Sequence, residues 1–78
     1  MPFVEIRGYS FGFFVSEPVN EPPHVHVKGK DGSAKLWLAP VRLVRSSYAP
    51  GETNEIVDIV HEHEDRFLEM WREQFGNE

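Results

Sequence analysis

Apolar and polar residues alternate over two short segments at the start of the chain, as they do in strands that bury one face. Residues 3–7 place Val4 and Ile6 on one side, and residues 9–15 repeat the alternation with larger side chains. The pattern predicts two strands joined by a turn at Gly8. The aligned apolar positions of the second segment are Tyr9, Phe11, Phe13 and Val15.

Glycine and proline interrupt the chain in and after the second segment. Gly12 lies inside the alternating run, where a glycine indicates either a bulge or the close approach of another backbone. Pro18, Pro22 and Pro23 preclude regular strand pairing. Residues 16–23 are therefore predicted to form an extended connector.

A second pair of strands is predicted on either side of Asp31 and Gly32. This dipeptide favours a type I′ turn, which requires positive φ at both central positions. The flanking residues 24–30 and 33–39 would then pair as a hairpin. The next segment, residues 41–45, predicts a fifth strand at the sheet edge.

Two histidines stand two positions apart at the start of the third predicted strand. Alternate side chains of a strand share a face, so His24 and His26 lie together, with Cβ atoms about 7 Å apart. Lys35 and Trp37 fall on that face in either adjacent even register, because side chains repeat every two residues. We call this surface the histidine face: His24, His26, Lys28, Lys35 and Trp37. The opposite face carries Val25, Val27, Ala34, Leu36 and Leu38.

The last third of the chain has the period of an amphipathic helix, predicted over residues 50–75. The stripe consists of Ile56, Ile59, Val60, His63, Phe67, Met70, Trp71 and Gln74 or Phe75. Pro50 suits the first helical position and Gly76 the position after the last turn. We expect one long helix, with a possible break at residues 62–65, which are poor in apolar side chains. The predicted fold is an α+β domain, a four- or five-stranded, mainly antiparallel sheet with this C-terminal helix packed on one face.

Composition predicts one small domain over residues 1–78, with the sheet in residues 1–48 and the helical part in residues 49–78. The chain has no cysteine, which excludes disulfides and thiolate metal sites. The longest uncharged segment has nine residues, too few for a membrane span, and the N-terminus lacks the order of a signal peptide. We therefore expect a cytoplasmic protein with no membrane partner and no cofactor.

Charge is distributed unevenly along the chain. Residues 1–48 carry six cations against four anions, whereas residues 49–78 carry two cations against nine anions, for a net charge of −5. The predicted sheet is therefore basic around the histidines, and the helical part is acidic.

Several segments resemble a small prokaryotic family, domain-of-unknown-function family 4160, whose members carry a Pro-Pro-His-x-His core. The similar segments are residues 21–27, which contain that core, 32–38, Pro40-Val41 and a helix that contains Asn54-Glu55-Ile56 and ends at 71–76. The resemblance implies no established catalytic residue. Similar chains are often encoded beside another small uncharacterised protein, so the resemblance implies a component of a suspected toxin-antitoxin pair.

Three interpretations of the histidines compete. In the first, His24 and His26 are the general acid and base of a metal-independent ribonuclease, and Lys35 or Arg45 holds the phosphate. Histidine suits this role because it gains and loses a proton near neutral pH. The negative net charge opposes the approach of RNA, and only the cations near the histidines offset it.

In the second interpretation, the two histidines bind a divalent metal ion. His24 and His26 can reach one ion, and Glu17 or Glu21 supplies a carboxylate. No third histidine lies nearby, because the other two belong to the predicted helix in the opposite layer. We therefore expect no metal site.

In the third interpretation, which we favour, the histidine face docks another protein. A tryptophan flanked by cations is typical of interface centres, and a small domain gains stability when its open face is covered. The expected partner is the small co-encoded protein or a second copy of the chain. A purely structural role, with the histidines bonded to carbonyls of the connector, is the remaining alternative. The predicted binding residues are Glu21, His24, His26, Lys28, Lys35, Trp37 and Arg45.

Overall fold

Five antiparallel strands form a meander in which each strand pairs with the next one along the chain. The structure is a computed structural model that describes residues 3–14 and 21–76. The predicted antiparallel sheet is confirmed, including its fifth strand at the edge. The strands are β1 (Phe3–Ile6), β2 (Tyr9–Gly12), β3 (His24–Gly29), β4 (Gly32–Leu38) and β5 (Val41–Ser46).

The turn between β3 and β4 lies one residue earlier than predicted. Its central residues are Lys30 and Asp31, with φ of 51° and 64°, and Gly29 pairs with Gly32. Gly32 is a strand residue, and only glycine fits there beside the Tyr48 ring, because a Cβ would lie 2.6 Å from Tyr48 Cε1. The pairing of β3 with β4 is therefore shifted by two residues from the predicted pairing, which is an even shift. Each side chain consequently stays on its predicted face.

The other glycine predictions have mixed outcomes. The turn between β1 and β2 is confirmed, because Arg7 and Gly8 both have positive φ, at 55° and 88°. Gly12 instead makes room for a side chain rather than for a backbone or a bulge. Phe3 lies opposite Gly12, and a Cβ on Gly12 would lie 2.7 Å from Phe3 Cγ. Val15 and most of the predicted connector fall outside the described residues.

The prediction of one long C-terminal helix is wrong. The chain forms α1 (Pro50–Glu62) and α2 (Glu64–Phe75), and His63, with φ −114° and ψ 21°, separates them. An unbroken helix over these residues would be about 39 Å long. That exceeds the 35 Å length of the whole molecule, so a straight helix would overhang the sheet. The turn allows the second helix to bring Phe67 and Trp71 back onto the core.

Both predicted helix ends are confirmed. Pro50 stands at the start of α1, after Ala49, whose side chain makes no capping hydrogen bond. Gly76 ends α2 with φ of 85°, and its N–H donates to the carbonyl of Arg72 at 2.8 Å. Neither helix of the described chain combines the length and the apolar character needed to cross a membrane.

The hydrophobic core lies between the two helices and one face of the sheet. The Phe11 and Phe67 rings stack with centroids 5.5 Å apart, and Phe13 meets Trp71 edge-on at 5.3 Å. The face of the sheet that carries Val25 is buried against the apolar stripe of the two helices. On the opposite face, the Trp71 ring of α2 lies 4.9 Å from the His24 ring, measured between centroids. The buried core residues are Tyr9, Phe11, Phe13, Val25, Val27, Ala34, Leu36, Leu38, Ile56, Ile59, Val60, Phe67 and Trp71.

Hydrogen bonds fasten the end of β5 to the hairpin and to α1. The Tyr48 hydroxyl donates to the Gly29 carbonyl at 2.8 Å, and burial, followed by Tyr9 and Glu52, raises the pKa of Tyr48. The Ser46 and Thr53 hydroxyls lie 2.8 Å apart. The edge strand is therefore held at its C-terminal end by the β3–β4 turn and the first turn of α1.

Candidate functional site

The strand register places the predicted site residues on one face of the sheet. His24 pairs with Trp37, and His26 pairs with Lys35, as the side-chain alternation predicts. The same rows continue onto β5, where Arg42 lies opposite Trp37 and Arg45 lies opposite Lys35. The histidine face therefore extends across three strands as two rows, His24–Trp37–Arg42 and His26–Lys35–Arg45.

His24 belongs to this face but is fully buried, with 0% of its side chain exposed. Its Nδ1–H donates to the carbonyl of Pro22 at 2.9 Å, because a carbonyl can only accept. The ring centroid lies 4.9 Å from that of Trp71 and 5.8 Å from that of Trp37. The hydrogen bond expected in a structural role is present, and it ties the end of the connector to the start of β3.

His26 is partly buried and lies in a group of aromatic rings. Its centroid is 5.1 Å from that of His24 and 4.6 Å from that of Phe14. Phe14 is 48% exposed and lies 5.6 Å from the Phe3 ring. The imidazole of His26 is therefore bounded by aromatic rings on two sides.

Sequence reasoning missed Phe3 and Phe14 as members of this face. The sequence did offer a signal for Phe14. Phe11 and Phe13 share one side of the predicted strand, and Phe14 follows Phe13 directly, so an extended chain directs Phe14 to the opposite side. Phe3 carried the same signal, because it is out of step with Val4 and Ile6, but its ring also needs the space above Gly12 in the neighbouring strand.

Each lysine of the histidine face lies near an aromatic ring, and Lys35 is also paired with a carboxylate. Lys35 Nζ lies 2.9 Å from Glu21 Oε1 and 5.0 Å from the Trp37 ring centroid. Glu21 Oε1 is also 3.6 Å from His24 Nδ1. Lys28 Nζ lies 4.2 Å above the Phe3 ring. The predicted binding residues Glu21, Lys28 and Lys35 thus surround the aromatic group.

The described residues contain no group of three or more histidine, cysteine, aspartate or glutamate side chains that could hold a metal ion. His24 Nδ1 is committed to the Pro22 carbonyl, and Glu21 is paired with Lys35. Glu17, the other carboxylate considered for a metal, lies outside the described residues.

We expect titration with zinc to give no saturable site tighter than about 10 µM, because a catalytic zinc site takes three protein ligands and this face offers fewer. The measurement follows the ring resonances of His24 and His26 by NMR. Tight binding that disappears in His26→Gln would overturn this expectation.

Comparison with known proteins gives a family and no activity. The family model described as Domain of unknown function (DUF4160) matches residues 8–72. Neither the curated proteins nor the solved structures contain a match. The matched range includes all of β2 to β5, and therefore both rows of the histidine face.

Proposed function

This chain belongs to the DUF4160 family of domains of unknown function, and from that premise we propose that it is a protein-docking module. It forms one half of a two-gene, toxin-antitoxin-like pair, and its histidine face binds the small protein encoded beside it. Trp37, His26 and Phe14 form the centre of the binding surface, and the cations of β3 to β5 surround them.

The observation that carries the proposal is a partly exposed group of aromatic rings on the sheet face opposite the core. Phe14 is 48% exposed beside His26, and Trp37 is partly exposed, although Trp71 of α2 reaches this face at His24. Aromatic rings are enriched at the centres of protein interfaces, where they contribute much of the binding energy. Covering this group would remove apolar surface from water on a domain too small to bury it internally.

The charges around the aromatic group indicate an acidic partner surface. Lys28, Arg42 and Arg45 are exposed, whereas Lys35 is paired with Glu21. Complementary charges at an interface rim accelerate association and suppress incorrect partners. The acidic residues of this chain are concentrated in residues 49–78, which leaves the sheet basic.

The geometry counts against the ribonuclease alternative. A general acid or base must come within hydrogen-bond reach of the proton that it transfers. His24 has no exposed side-chain surface and donates its Nδ1–H to Pro22, and Lys35 is held by Glu21. His26 is only partly exposed, and its Nε2 atom is buried, so that nitrogen is out of reach of a substrate.

Replacing Trp37 by alanine should weaken binding of the co-encoded protein by about 30-fold, because truncating a central aromatic anchor costs about 2 kcal/mol. Calorimetric titration of the purified partner measures the affinity. Arg66→Ala, on the exposed surface of α2, is the control and should leave the affinity unchanged. Thermal unfolding establishes that both variants remain folded.

Two results would contradict the docking function. An unchanged affinity in Trp37→Ala would show that the partner does not use this face. Turnover of RNA by the purified domain, with a bell-shaped pH dependence and loss of activity in His26→Ala, would establish the ribonuclease instead.

A further inference from the structure

The outer edge of β5 has features of a binding surface distinct from the aromatic group. β5 is the last strand of the sheet, and no strand of the described chain pairs with its outer edge. Such an edge presents backbone N–H and C=O groups that can pair with an added strand. Residues 42–45 are all exposed.

Two apolar side chains are exposed on this edge strand. Leu43 and Val44 are 43% and 40% exposed, and the only other large exposed apolar side chain of the described residues is Phe14. Leu43 pairs with Leu36, and Arg45 pairs with Lys35, so Val44 is the extra residue of a bulge. The bulge limits regular pairing to a short stretch, and side-chain contacts must therefore supply much of the specificity.

Arg42 and Arg45 flank the two apolar residues. Both arginines are exposed, and within the described part of the chain neither forms an ion pair. Although they are three positions apart, the bulge places both on the histidine face, opposite Trp37 and Lys35. Those two residues of β4 are only two positions apart. A regular strand added to the outer edge would likewise place alternate residues beside the two arginines.

We propose that the edge of β5 receives an extended segment of the partner protein as an added strand, and that this segment has an acidic–apolar–acidic alternation. Its two carboxylates lie beside Arg42 and Arg45, where guanidinium groups can bind them in a bidentate manner. Its central apolar side chain lies beside Leu43. The inference rests on the proposed docking function and specifies how the partner approaches the sheet.

Charge disfavours a second copy of this chain as the occupant in the register that pairs the two apolar residues. An antiparallel self-pairing that brings Leu43 beside Val44 of the other copy places Arg42 beside Arg45 at both ends. Like charges directly opposite each other destabilise a strand pair. A partner with carboxylates at those positions avoids this repulsion.

RNA fits the same edge less well than an acidic peptide. Phosphates could pair with Arg42 and Arg45, but Leu43 and Val44 offer no polar group or aromatic ring to a nucleotide. The net charge of −5 also opposes a polyanion. An extended peptide uses the backbone edge, the apolar pair and the arginines together.

The edge is preorganised for this role because its C-terminal end is fixed. The N–H of Ser47 donates to the Ser33 carbonyl at 2.9 Å, and the Tyr48 N–H donates to Ser46 Oγ at 3.0 Å. A strand that is already ordered loses less conformational entropy when a partner binds.

The probe is a synthetic seven-residue peptide, Thr-Val-Glu-Val-Glu-Val-Thr, acetylated and amidated at its ends, titrated into the full chain and followed by NMR. We expect saturable shifts of the backbone amides of residues 41–46. The double variant Arg42→Glu, Arg45→Glu should reduce the affinity about tenfold or more. A peptide with lysine in place of glutamate should bind that variant better than it binds the unchanged protein.

Three controls separate this mode from general attraction of charges. Arg66→Glu, Arg72→Glu makes the same charge change on α2 and should reduce the affinity much less. Methylation of the peptide backbone nitrogens that face the edge should abolish binding, because the added strand pairs through its main chain. A seven-nucleotide oligouridine should bind these amides more weakly than the acidic peptide does.

The inference is overturned by the absence of saturable shifts at residues 41–46, by equal losses in the two double variants, or by tighter binding of oligouridine. If the co-encoded protein still requires Trp37 in that case, the docking function stands and only the strand-addition mode fails. If Trp37→Ala and the β5 double variant both leave the affinity for that protein unchanged, the docking function fails as well.

Discussion

Leu36→Ala should lower the free energy of unfolding by about 2–5 kcal/mol, the largest effect that we expect for a single substitution outside the aromatic core. Leu36 lies in β4, between Val25 of β3 and Leu43 of β5, and has no exposed surface. Truncating it removes buried apolar atoms and leaves a cavity that the central strands cannot close. Since small domains are stable by only about 5–10 kcal/mol, this variant should be close to unfolding.

The matched control for Leu36→Ala is Leu43→Ala in the neighbouring strand. The two leucines face each other in the β4–β5 register, but Leu43 is 43% exposed. We expect Leu43→Ala to cost less than about 1 kcal/mol, because 43% of Leu43 is already exposed to water. Urea denaturation followed by tryptophan fluorescence measures both. Equal losses in the two variants would show that the assigned core face is wrong.

His24→Ala should lower the free energy of unfolding by about 2–4 kcal/mol, because it combines a cavity with a lost hydrogen bond. The ring of His24 is packed among His26, Trp37 and Trp71, and its Nδ1–H satisfies the Pro22 carbonyl. Removing it should loosen both the connector and the contact between β3 and α2. Denaturation in urea measures this effect.

Two further variants distinguish packing from hydrogen bonding at this position. His24→Asn keeps a donor near the position of Nδ1 and should recover part of the stability, whereas His61→Ala changes an exposed histidine of α1 and should have almost no effect. A fully stable His24→Ala domain that had lost an RNA-cleaving activity would instead identify His24 as a catalytic residue.

The sequence by itself determined which side chains share a face. The alternation in β3 and β4 has a period of two, and the shift of the hairpin turn from Asp31-Gly32 to Lys30-Asp31 changed the register by an even number. The assignment of side chains to the core face and to the histidine face is therefore correct, although the predicted position of the turn was wrong. The helix ends at Pro50 and Gly76 were also predictable, because each depends on the backbone of one residue.

The sequence indicated where the helical segment could break, at residues 62–65, but only the tertiary structure decided that it does break and how much of the histidine face is exposed. The two helices separate at His63, and one continuous helix of about 39 Å would exceed the 35 Å length of the molecule, which no local pattern encodes. The burial of His24 depends on Trp71, which lies 47 positions later in the chain. The period of a strand assigns a side chain to a face, but its exposure depends on residues that distant elements bring against it.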